Sequence, residues 1–191
     1  MLRSAKGGLA ATTLAFAQFI GTALAQSAVS VDKLSFAVPG ATEKGAMVSG
    51  DPRIPELTHA RLPAVLILHT ATGFDGRGAF YADALNQAGI ATVEIDYLRG
   101  KGIPRSVYDN LPHVYETLRH LARHPRIDPA RIGVLGFSWG GMLSVAASSA
   151  ELTRRYTDGQ LRFAAHLGLY PLSARRTWLA RSKAREASST S

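Results

Sequence analysis

The sequence predicts an α/β fold built on a mostly parallel sheet with helices on both faces. Three apolar runs of strand length, 64–68, 90–95 and 131–137, are each followed by a segment with helical spacing. Such continuous runs suit strands buried on both sides, and strands alternating with helices lead to parallel pairing through right-handed crossovers. The composition agrees, with 46% hydrophobic and 19% charged residues, enough apolar side chains for a core. At 191 residues the chain has room for one domain and an appendage, not two full domains.

The elements follow in order. Residues 1–25 place Arg3 and Lys6 before an apolar stretch from Leu9 to Leu24, and Ala23-Leu24-Ala25 precedes Gln26. Basic, then apolar, then small is the order of a secretory signal peptide, so cleavage and export, to periplasm or exterior, are expected. Residues 31–38 alternate loosely and stop at Pro39-Gly40, as a strand does before a turn; a weaker strand is expected from Ala46 to Ser49. Asp51-Pro52 and Pro55 mark a loop that leads into the apolar strand Ala64–Leu68. A turn over His69–Phe74 follows, then a helix from Ala79 to Ala88 closed by Gly89, and the strand Ile90–Ile95. Leu111, Val114, Tyr115, Leu118, Leu121 and Ala122 recur at helical spacing, with Pro112 tolerated near the start and His124-Pro125 ending the helix. The strand Arg131–Phe137, one helix from Gly140 to Ala150 and a fourth strand from Phe163 to Tyr170 complete the body.

Beyond Pro171 the composition changes. Residues 172–191 hold five basic residues and one acid and end on Ala187-Ser188-Ser189-Thr190-Ser191, a basic tail expected to be disordered. The whole chain has 22 basic and 14 acidic residues, a net charge of +8. Two of the basic residues fall in the leading segment and five in the tail, so residues 26–171 keep 15 against 13 and are nearly neutral. With no basic stripe interleaved with aromatics there, a nucleic-acid partner is not expected. The absence of cysteine excludes a disulfide framework, thiolate metal sites and a cysteine nucleophile.

Chemistry concentrates in Gly136-Phe137-Ser138-Trp139-Gly140, which matches the Gly-x-Ser-x-Gly nucleophile elbow. The bare pattern is weak, but here it begins where a buried strand ends and opens a helix of small residues, Gly140-Gly141-Met142-Leu143-Ser144. A serine in so sharp a turn needs glycines on both sides, because side chains there would strike the neighbouring strand and helix. Ser138 is the candidate nucleophile, and the Trp139 N–H at the helix start points where an oxyanion would develop. A second donor is expected from His69–Gly73, the loop after the first apolar strand, with the Ala71 N–H first and Thr70 behind it. His69, at the strand end, is read as ordering that loop. Tyr97, Arg99 and Tyr108 follow a strand's carboxyl end and are candidates to line a cleft. His113, His120 and His124 lie along one helix and its end, but no motif carboxylate accompanies them, so a solvated helix face is expected rather than a metal site.

From about Leu62 to Pro171 the chain resembles the α/β-hydrolase superfamily, and within it the dienelactone hydrolase family. The resemblance is most specific over Ile127–Gly141, and Ala88-Gly89-Ile90 leading to Ile95-Asp96-Tyr97 adds to it. It implies a hydrolase of a small-molecule carboxylic ester or lactone working through an acyl-enzyme, with no cofactor or metal. Two departures matter: the best-known dienelactone hydrolases have cysteine where this chain has Ser138, and an acidic residue where it has Thr70. Enol-lactone specificity therefore does not carry over.

A serine needs a histidine to take its proton and an acid to orient that histidine, in this superfamily in the order Ser, acid, His. After Ser138 the chain offers Glu151, Asp158 and Glu186 as acids and His166 as the one histidine. His166 falls inside the fourth strand and Asp158 before it, so no triad assembles from them. The resemblance implies further strand–helix units carrying acid and base, and a C-terminally truncated or frame-shifted member is expected. Such a chain is either a secreted serine hydrolase or an inactive fragment, at most a binding or oligomerising module.

Overall fold

A computed structural model describes residues 33–41, 44–56, 60–98 and 106–171, and the backbone of 29–30. The expected signal segment, the basic tail with Glu186, and Arg99 lie outside the described residues. Among the described residues seven strands form one sheet: β1 (Val29–Ser30), β2 (Leu34–Ala37), β3 (Met47–Pro55), β4 (Leu62–Leu68), β5 (Ala91–Asp96), β6 (Ile127–Phe137) and β7 (Ala165–Leu169). Their spatial order is β1-β3-β5-β4-β6-β7, with β2 also paired to β3. The β5-β4-β6-β7 block is parallel, and β3 joins it antiparallel through β5. Helices α1 (Arg77–Gln87), α2 (Leu111–Arg123), α3 (Trp139–Ala147) and α4 (Ala150–Thr157) supply the crossovers.

Alternation along the parallel strands divides their side chains between two layers. Leu66, Leu68, Val93, Ile95, Ile132 and Val134 pack with Leu111, Val114, Tyr115, Leu118 and Leu121 of α2 and Leu143 of α3. Ile67, Leu135 and Phe137 point to the other face, under Ala82 of α1. Tyr115 is fully buried, and its hydroxyl donates to the Ala147 carbonyl at 3.1 Å and lies 3.2 Å from Thr153 Oγ1, tying α2 to α3 and α4. At the edge strand β7 the α1 face is thinly covered: Leu167 is 52% exposed and Tyr170 56%.

Two elements differ from expectation. The loop expected at Asp51-Pro52 and Pro55 is strand: β3 runs through both prolines. Proline lacks an N–H for a ladder. Pro52 sits opposite Val93 of β5, and on the other edge of β3 it falls in the gap between the stretch paired to β2 (Met47–Gly50) and the stretch paired to β1 (Ile54–Pro55), where no ladder partner stands opposite it. The helix expected from Gly140 to Ala150 ends at Ala147, and an unexpected helix, α4, follows, because Ser149 stands in extended conformation and caps α4, accepting from the Leu152 N–H at 3.4 Å.

Candidate active site

The turn from β6 to α3 is sharp and closely packed. Ser138 has φ 49° and ψ −107°, a region costly for any residue with a Cβ. Two hydrogen bonds hold it there: its N–H donates to the Leu169 carbonyl of β7 at 3.0 Å, and its carbonyl accepts from the Met142 N–H at 2.9 Å. The glycines of the motif make room. A Cβ on Gly136 would lie 2.0 Å from the Gly140 carbonyl oxygen, and one on Gly140 would lie 2.3 Å from the Leu68 carbonyl oxygen and 2.6 Å from that of His69. The start of α3 therefore rests directly on the end of β4, and Leu68 pairs in register with Gly136. Ser138 and the His69–Gly73 loop thus emerge side by side at the carboxyl ends of adjacent strands, where parallel sheets place ligand chemistry. Ser138 is half-buried, and its hydroxyl has no hydrogen-bond partner among the described residues. The Trp139, Gly140 and Gly141 N–H groups belong to a first helical turn, which leaves amides without intrahelical acceptors and a positive end toward the serine.

The β4 loop is ordered from beneath. His69 is buried; its Nδ1–H donates to the Thr70 carbonyl at 2.6 Å, and its ring stacks on Tyr97 at 4.2 Å and meets Phe74 edge-on at 5.0 Å. Its Nε2 lies 3.7 Å from an Asp96 carboxylate oxygen. Burial, the largest influence, lowers the His69 pKa despite the carbonyl and Asp96. Thr70 Oγ1 accepts from the Thr72 N–H at 3.3 Å and lies 3.3 Å from Asp75 Oδ2, while the Gly73 N–H closes the turn on the Thr70 carbonyl at 3.2 Å. Ala71 sits half-exposed at the tip of that turn.

Several expected residues lie elsewhere. Tyr97 does not line a cleft: it is 3% exposed, and its hydroxyl donates to the His69 carbonyl at 2.6 Å. Tyr108 is half-buried against the core. The histidines of α2 do not form a solvated face. His113 is 8% exposed, His120 stacks on Phe36 at 3.7 Å, and His124 Nδ1 accepts from the Arg126 N–H at 3.2 Å. Among the described residues no group of three or more His, Asp or Glu side chains is placed to hold a metal. His166 pairs in register with Val134, four positions before Ser138, and its Nδ1–H donates to the Ser144 carbonyl at 3.1 Å. Asp158 closes α4 in the left-handed region ahead of β7, at the far end of the sheet from Ser138, and Glu151 is exposed on the first turn of α4.

Two polar residues near the site escaped the sequence reading. Asn110 is 5% exposed; its Oδ1 accepts from the Trp139 indole N–H at 3.2 Å and its Nδ2 donates to the Tyr97 carbonyl at 3.4 Å. Glu94 lies under the first turn of α1, where a Cβ on Gly78 would fall 2.1 Å from its carboxyl carbon. Burial, and then the negative charge of Asp75, push its pKa up to about 7 against the pull of Arg53. As a charge set among the mostly apolar residues Ala91–Ile95, Glu94 was open to notice; Asn110 carried only its place before a proline-started helix.

No protein-family model matches the chain, and no curated protein matches it in sequence. Solved structures do. A hypothetical protein, PA2218 from Pseudomonas aeruginosa, is 26% identical over 65% of this chain and 40% of its own, with a TM-score of 0.53. Esterase Est22 is 17% identical over 70% of this chain and 41% of its own, TM-score 0.55. A putative dienelactone hydrolase from Klebsiella pneumoniae subsp. pneumoniae is 18% identical over 63% and 56%, TM-score 0.50. The domain has the α/β-hydrolase fold. It spans about 40% of the length of the first two of these proteins.

Proposed function

We propose that the chain carries the nucleophile portion of an exported serine hydrolase of dienelactone-hydrolase type, acting on a carboxylic ester or lactone. The observation that carries the reading is Ser138 itself: a serine held at φ 49° between a buried parallel strand and a helix, with its hydroxyl unengaged among the described residues. Strain of this kind persists only where surrounding structure enforces it, and it clusters at reacting groups. In the proposed reaction Ser138 Oγ attacks the substrate carbonyl as a base takes its proton. The Trp139 and Ala71 N–H groups receive the developing oxyanion, and the alcohol leaves an acyl-serine that water then hydrolyses. The base and its acid are assigned to no described residue.

Labelling of the purified chain with a fluorophosphonate tests the reading. Adduct on Ser138, absent in Ser138→Ala, is expected; a folded chain that takes up no label sinks it. One observation favours a second reading, an inactive module: His166, the one histidine after Ser138, spends its Nδ1 on the Ser144 carbonyl. Without a base, only about 10³–10⁴-fold acceleration over water is expected from oxyanion stabilisation and binding. Ester hydrolysis well above that level, lost in Ser138→Ala, rejects the second reading.

A further inference from the structure

Asparagine before a helix ordinarily spends its side chain on the first free amides. Asn110 precedes α2 and makes no such bond. Its amide is turned inward and buried, with Oδ1 on the Trp139 indole N–H and Nδ2 on the Tyr97 carbonyl. The two contacts fix the amide orientation, because the flipped form would set donor against donor and acceptor against acceptor. The residue is itself held by a short helical turn, Val107–Asn110, closed by a reciprocal cap between Ser106 and Asp109.

Beyond Asn110 the contacts continue to the other side of the site. Tyr97 donates to the His69 carbonyl at 2.6 Å and stacks on the His69 ring, and His69 Nδ1–H holds the Thr70 carbonyl, one residue before Ala71. Trp139 and Ala71 are the residues whose N–H groups would share one oxyanion, and they sit on separate loops. We propose that Asn110 is a positioning residue that fixes the Trp139 amide against the Ala71 loop, through the chain Trp139–Asn110–Tyr97–His69–Thr70. The proposal rests on the hydrolase reading for its purpose, though not for its geometry. Glycines at 140 and 141 leave the first turn of α3 little side-chain anchorage of its own, so the indole tether adds a side-chain hold to the backbone bonds at Ser138.

The test follows the Trp139 backbone and indole N–H signals by ¹⁵N NMR, together with Ser138-dependent hydrolysis of p-nitrophenyl acetate. Asn110→Leu removes both contacts at similar volume, Asn110→Asp keeps the acceptor for the indole, and Trp139→Phe keeps an aromatic ring, smaller and without an N–H. In Asn110→Leu the indole N–H should exchange at least tenfold faster and the backbone amide at 139 should shift, with Asn110→Asp restoring indole protection. Turnover should fall about tenfold in kcat at unchanged KM in Asn110→Leu and in Trp139→Phe, and no further in the double variant, since misaligning one donor costs less than the 10²–10³ of deleting it. An unmoved amide at 139 in folded Asn110→Leu, or losses that multiply in the double variant, overturns the proposal. Hydrolysis that survives Ser138→Ala overturns the hydrolase reading instead, and the tether then stands or falls on the amide signals.

Discussion

Strand β6 carries two glycines three positions apart, and one added methyl group should have opposite effects on them. At Gly133 a Cβ would find its nearest neighbours at 3.6–3.8 Å, the Ala165 carbonyl oxygen and Cβ and a Val65 methyl, which is ordinary contact. At Gly136 it would lie 2.0 Å from the Gly140 carbonyl oxygen, 2.2 Å from that carbonyl carbon and 2.7 Å from the Gly141 nitrogen. All three obstacles are backbone of α3, so relief requires the helix start to lift by about 1 Å, against bonds that also fix Ser138. Overpacking of this kind costs about 1–3 kcal/mol, and a backbone obstacle puts Gly136→Ala at the upper end. Gly133→Ala removes the unfolded-state freedom of glycine from a strand and should gain about 0.5–1 kcal/mol. For a domain of this size 1 kcal/mol moves Tm by about 2–4 °C, so Gly136→Ala should melt roughly 6–12 °C lower and Gly133→Ala about 1–4 °C higher. Thermal and urea unfolding followed by circular dichroism measure both, with an unchanged urea slope showing a comparison of like states. Equal shifts for the two variants, or a Gly136→Ala chain as stable as the parent, would refute the close approach of helix and strand on which the site is built.

Three further outcomes are expected. Ser138→Gly should raise stability by about 1 kcal/mol, since glycine relieves a conformation costing about 1–3 kcal/mol and gives back part as entropy, while Ser138→Ala, still strained, should stay near the parent in urea melts. Glu94, raised from 4.5 to about 7 in the folded chain, binds a proton there that the unfolded chain has already lost, so its contribution should decline as pH rises from about 4.5 through 7. With part of the carboxyl solvated the effect should be about 1–2 kcal/mol, and Glu94→Gln should flatten that limb of the stability–pH curve. His69 and His166, lowered by burial, act in the opposite sense, costing stability as pH falls below 6.5, so the Glu94→Gln difference curve is the one to read. Tyr115→Phe should lose about 1 kcal/mol in urea unfolding as the link from α2 to the Ala147 carbonyl disappears.

What the sequence made legible was what periodicity controls. The parallel strands, α2 and the elbow sit where apolar runs, helical spacing and paired glycines put them. What it concealed depends on partners distant in the chain. Pro52 reads as a loop until β3 is seen to pass it between two pairing partners. His120 looks solvated until Phe36, from a strand some eighty residues earlier, stacks on its ring. Tyr97 resembles a cleft residue because its position after β5 is visible, whereas the His69 carbonyl that claims its hydroxyl is not. Asn110 looks like a helix cap, and only the fold brings Trp139 to it.

The bond from the Ser138 N–H to the Leu169 carbonyl also sets an order of events during synthesis. The serine and the strand that secures it are separated by α3, α4 and their turns, so Leu169 leaves the ribosome roughly thirty residues after Ser138. At about 5–20 residues per second that is a wait of roughly 2–6 s. Until β7 is present, β6 has no strand on that side and the turn lacks the bond that Leu169 supplies. The strained geometry of Ser138 is thus completed only once the last strand among the described residues has been made.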